Sequence, residues 1–178
     1  MKQTGFGALV AGVAVVGMLG TLALAGDQDE NGRTLKASLK GIEEPPSISS
    51  TGRGTFRATI SEDGSSIHYT LSYEGLEGDV QQSHIHLGQR AVNGGIAAFL
   101  CTNLGNGPAG TPLCPGPRSG TVSGTITAAE VIGPSGQGLA PGEFEELLRA
   151  IARRVTYANV HSTKHPGGEI RGQIDDED

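Results

Sequence analysis

Tryptophan is absent, and the other aromatics amount to three Tyr and four Phe in a chain of 178 residues. So little aromatic bulk beside 29 Gly does not suit a helical bundle; it suits short strands joined by many tight turns. Basic residues are also scarce. Lys and Arg number 13 against 19 Asp and Glu, a formal charge of -6, which excludes nucleic-acid binding through a basic field. No Gly-rich stretch leads into a Lys followed by Ser or Thr, so a phosphate-cradling loop is unsupported. No Ser sits in a nucleophile elbow, and neither of the two cysteines stands in a motif for covalent catalysis. There is no internal repeat.

The chain has one long apolar run, and it lies at the start. Met1-Lys2 is a short positive segment, Gly5 to Leu22 carries no charge, and Ala23-Leu24-Ala25 is a small-x-small cleavage pattern before Gly26. The expectation is a signal peptide over residues 1–25 and a folded part that is secreted, periplasmic or otherwise extracytoplasmic. The run approaches membrane-spanning length, so an uncleaved N-terminal anchor is the alternative; only then is the membrane a partner. No Cys stands at the cleavage point, which leaves a lipoprotein anchor unsupported. Removing residues 1–25 takes away Lys2 and no acid, so the charge moves from -6 to -7. The mature piece has the size of one domain.

Cys101 and Cys114 bracket a loop rich in Gly and Pro. Two cysteines in an exported chain point to a disulfide that staples this loop, worth about 3 kcal/mol by the chain-entropy argument. Two thiolate ligands for a soft metal are the competing reading.

Residues 26–33 read as a polar spacer and residues 34–174 as the domain. Leu35, Ala37 and Leu39 alternate with polar residues in a half-buried strand. Phe56-Ala58-Ile60 and Ile67-Tyr69-Leu71-Tyr73 form a hairpin about Asp63-Gly64, with His68 on its solvated face. Further strands are expected at Val80–Leu87, Ile96–Cys101 and Gly120–Thr127. Thr127 to Glu130 has capping-box spacing. Phe144, Leu147, Leu148 and Ile151 recur at helical spacing, with acids before them and Arg149, Arg153 and Arg154 after. Val155–His161 and Glu169–Ile174 are the closing strands, joined by a Lys-His-Pro-Gly-Gly turn, and residues 175–178 read as an acidic tail. Glu169 and Arg171, two apart on one strand face, read as a solvated face or a cross-strand ion pair.

Four of the five histidines fall in two of these segments: His84 and His86 on one strand, His161 and His165 at the closing hairpin. Residues two apart on a strand share a face, so these rings converge on one patch of the sheet's outer surface if the segments are neighbours.

The segments His84-Ile85-His86-Leu87-Gly88, Gly120 to Thr127, Tyr157 to Ser162 and His165 to Ile174 together resemble the chordin (CHRD) domain family. That resemblance implies a binding module rather than an enzyme, acting on a protein or cell-surface partner that it does not name. More distantly, the chain is similar to copper/zinc superoxide dismutases. These are Greek-key barrels with a His-x-His strand beside a later Val-His strand, matched here by His84, His86 and His161. The long His-rich loop of those enzymes is missing between Gly88 and Gly120, and Arg171 sits further along than their anion-guiding arginine. The fold implied is mostly β, a Greek-key antiparallel sandwich or barrel with one short helix near the C-terminus.

Neutral imidazole is the usual ligand for copper and zinc, so His84, His86 and His161, with His165 as a fourth ligand, make a candidate site for a copper-like divalent ion or for zinc. Glu169 or Asn159 would orient a ring through its second nitrogen. Two other readings stand beside it. The rings hydrogen-bond to fix the strands, His161 holding the turn; or the three histidines carry copper for a dismutase-type redox reaction.

Overall fold

Alternation of apolar and polar side chains along the strands sets one face of a single sheet inward, and the computed structural model describes this for residues 32–177, together with residues 1 and 2. The expected signal peptide and most of the polar spacer lie outside the described residues. The strands are β1 (Thr34–Lys40), β2 (Arg53–Ile60), β3 (Ile67–Glu74), β4 (Val80–Leu87), β5 (Gly95–Thr102), β6 (Gly120–Ile126), β7 (Thr156–Ser162), β8 (Ile170–Gln173) and β9 (Asp175–Asp176). One helix, α1 (Phe144–Ala152), precedes β7.

Neighbours run in the order β5-β4-β7-β8-β1-β2-β3-β6, with β9 pairing β1, and the pairs are antiparallel. Strand β7 returns beside β4 after the β4-β5-β6 excursion, which is a Greek-key connection. The sheet curls into a nearly closed barrel. At the seam between β5 and β6, the Tyr69 hydroxyl donates to the Leu100 carbonyl at 2.6 Å and the Ile132 N–H to that of Ala97 at 2.9 Å.

Leu35, Leu39, Phe56, Ile67, Leu71, Ile85, Leu100, Ile126 and Ile170 fill the interior, each burial contributing roughly 1.5–3 kcal/mol. Phe144, Leu147 and Ile151 bring α1 onto the same core. The helix ends at Ala152, before Arg153 and Arg154; Arg154 takes a positive φ of 58° that no further helical turn accepts. Thr127 and Glu130 cap a short 3-10 turn reciprocally, as their spacing predicts. The two cysteines are joined as a disulfide.

The residues expected as an acidic tail are tied down in part. Asp175 and Asp176 pair with Lys36 and Leu35 of β1, Asp176 meets Arg33, and Glu177 meets Arg57. Local charge complementarity turns a solvated end into a ninth strand.

Candidate metal centre

Strand β4 lies between β5 and β7, and its register brings the expected histidines together. His84 stands opposite Asn159, His86 opposite Tyr157, and Gln82 opposite His161, so His84 and His161 are diagonal neighbours on the barrel's outer face. Ile85, between the two early histidines, points into the core. One ring nitrogen from each of His84, His86 and His161 lies within 4.8 Å of the others. Metal–nitrogen bonds of about 2.0 Å require such nitrogens to stand about 3.4 Å apart, so the rings need close by no more than about 1.4 Å.

The patch is not exposed, contrary to the expectation of an open outer surface. His84 is 0% exposed and His86 and His161 are 7% exposed. Two loops roof it. Residues 88–94 and 41–46 are laced together by Asn93 donating to the Pro45 carbonyl at 3.2 Å and by Arg90 paired with Glu43 at 2.6 Å. Gly168, at φ 130°, lets the Glu44 carboxylate approach to where a Cβ would stand 2.5 Å away.

Backbone carbonyls fix the rings. His86 Nδ1 meets the Gly94 carbonyl at 2.9 Å, and His161 Nδ1 meets that of Pro166 at 2.9 Å. A carbonyl oxygen only accepts, so both Nδ1 atoms carry the proton and both Nε2 atoms are bare lone pairs. His84 Nδ1 then donates to His161 Nε2, 3.1 Å away. Nε2 of His84 and Nε2 of His86 are left buried with no hydrogen-bond partner. The expected hold of His161 on its turn is therefore present, and in the form that also orients a metal ligand.

Aromatic contacts complete the packing. Phe99 meets His84 edge-on at 4.4 Å, and Tyr157 stacks on His86 at 4.8 Å. Burial lowers all three imidazole pKa values, that of His84 to about 2 and that of His86 to about 4, with the neighbouring rings adding to the shift at His84. The rings are neutral at ordinary pH, the state in which imidazole ligates.

The remaining expected site residues fall elsewhere. His165 turns toward Glu77, 3.7 Å away, and does not join the cluster. His68 is exposed and contacts Thr125 at 3.0 Å. Glu169 and Arg171 are neither solvated nor paired with each other: both are buried, at 0% and 1% exposure. Glu169 accepts from Ser50 at 2.7 Å, from the Glu77 N–H at 2.6 Å and from Ser162, which ties the loop before β2 and the loop between β3 and β4 to the β7–β8 turn. Arg171 lies 3.3 Å over the Tyr157 ring and donates to the Gln89 carbonyl at 2.8 Å. Burial raises the Glu44 carboxyl to about 7, against the opposing pull of Arg171. Sequence reasoning did not find Phe99, Glu44 or the two carbonyls; Tyr157 was legible as the residue two before Asn159 on the histidine face.

Fold and cluster together define a class: a disulfide-bonded antiparallel β-barrel with three buried histidines on its outer wall. Residues 35–174 match the model of the CHRD domain, and the chain belongs to that family. No curated protein matches the chain. CHRD membership and the disulfide fit a non-cytoplasmic setting.

Proposed function

We propose that this is an exported CHRD-domain binding protein that holds one copper or zinc ion on His84, His86 and His161. The observation that carries the reading is the meeting of three ring nitrogens: the buried, unpartnered His86 Nε2 lies in one cluster with His84 Nδ1 and His161 Nε2, which face each other at 3.1 Å. The Nδ1 protons of His86 and His161 are committed to carbonyls, and moving the His84 proton to its own Nε2 leaves each ring a lone pair for one ion. Buried polar atoms have partners in nearly all native proteins, and a cation is a partner suited to a cluster of neutral imidazole nitrogens. Neutral nitrogen donors select copper or zinc over calcium or magnesium.

Burial of the three rings beneath the roofing loops favours holding the ion over turnover, which sets the binding reading ahead of a dismutase-type reaction. Calorimetric titration of Cu(II) and Zn(II) into tag-free protein tests the site. One ion per chain is expected, with affinity lost in His86→Ala/His161→Ala; unchanged affinity in that variant removes the metal reading. A superoxide assay on metal-loaded protein separates the two readings of the site, with no rate above free metal expected.

A further inference from the structure

The uncovered part of the barrel wall gathers four cations on two adjacent strands of an acidic chain. Across β1 and β2, Lys36 faces Arg57, Ser38 faces Thr55 and Lys40 faces Arg53, and all six are exposed. Like charges directly opposite one another on a sheet are destabilising, and here two such pairs flank a pair of hydroxyl residues. Acids offset the arginines at the rim, Glu74 at 2.9 Å from Arg53 and Glu177 beside Arg57. Asp175 stands opposite Lys36 on β9 and Glu43 lines the hollow beside Lys36 and Lys40, yet among the described residues neither Lys36 nor Lys40 closes an ion pair. A chain of charge -6 that concentrates cations in this way breaks a local rule, and such breaks mark functional surfaces.

Shape and hydrogen bonding agree with the charge. Two adjoining hollows of about 370 and 620 Å³ share Ser38, Lys40 and Thr55. Neither hydroxyl makes a side-chain hydrogen bond among the described residues, whereas Ser72 and Thr121 on the next strands pair with each other at 2.9 Å. None of the exposed large apolar side chains, such as Ile42, Val92 and Leu113, belongs to these strands, which disfavours lipid insertion or an apolar peptide. The two cation pairs are four residues apart along β1, roughly 13 Å at about 3.3 Å per residue, so the stripe suits a polymer better than a single anion.

We propose that this face binds an acidic polysaccharide, with its carboxylates against the Lys36–Arg57 and Lys40–Arg53 pairs and its hydroxyls against Ser38 and Thr55. The surface shares no residue with the histidine cluster and stands whether or not that cluster holds a metal.

The test is titration of the full chain with polygalacturonate, with dextran, single-stranded DNA and phosphatidylglycerol vesicles as comparators. Polygalacturonate is expected to bind, more weakly as salt rises, and Lys36→Glu/Lys40→Glu is expected to weaken it at least 10-fold. In that variant each new carboxylate faces an arginine of β2, while residue 36 also meets Asp175 across β9, so the two effects oppose and the thermal midpoint is expected to stay level. The proposal is overturned by absence of polygalacturonate binding, by equal affinity in the double variant, or by any comparator binding as tightly as polygalacturonate.

Discussion

The two halves of the barrel share one core and differ in what lies outside it. On β3 burial alternates residue by residue, and its outer side chains face solvent. On β7 every residue is buried, because the core covers one face and the loops at 41–46 and 88–94 cover the other. The difference shows in the polar atoms. Buried side-chain atoms without a partner occur on β4, β7, β8 and the segments around them, at His84, His86, Thr156, Asn159, Arg171 and Glu44 among others. Among the described residues none occurs on β2, β3 or β6. A barrel needs only its inner face for stability, so polar groups carried under a roof at this cost set the covered half apart as the one where the proposed metal site lies.

The comparison is broken most severely by removing the buried carboxylate that ties neighbouring loops to the β7–β8 turn in the covered half. Glu169→Ala leaves Ser50, Ser162 and the Glu77 N–H without their acceptor, and a loss of about 4 kcal/mol is expected in urea unfolding. The Cys101→Ser/Cys114→Ser variant frees a loop of sequence separation 13 at the edge beyond β5, and about 3 kcal/mol is expected to be lost in the same measurement. A pH series sharpens the contrast. Glu44 has a folded pKa of about 7 against an ordinary value of 4.5, so its protonated form is the one the fold prefers. Its contribution is fully present below about pH 4.5 and is lost as pH rises through about 7, a change on the order of 2 kcal/mol that Glu44→Gln is expected to flatten. The smallest effect belongs to the open half. Thr70→Ala removes an exposed contact with Ser123 at 2.8 Å, and a change within about 0.5 kcal/mol is expected.

Much of the open half was legible from the sequence because its pattern has period two. Leu35, Ala37 and Leu39, or Ile67 to Tyr73, alternate cleanly, and one face is wet. The histidine pairing was legible for the same reason, since His84 and His86 share a face and the closing hairpin supplies His161. Roofing was not legible. Where a loop lands depends on distant contacts such as Asn93 with Pro45, and no periodicity encodes them. Phe99 was hidden because register shifts beside His84 and His86 decide which β5 residue faces which histidine. Glu169 and Arg171 read as surface charges because burial of an ionic group is visible only once its hydrogen-bond partners are in place.

The most direct test of the metal centre is a crystal grown with copper or zinc and measured across that metal's absorption edge. The account predicts one anomalous peak within bonding distance of a nitrogen from each of His84, His86 and His161. A structure in which the ion sits instead at His68, His165 or surface carboxylates, or in which no peak appears at the cluster, would contradict it.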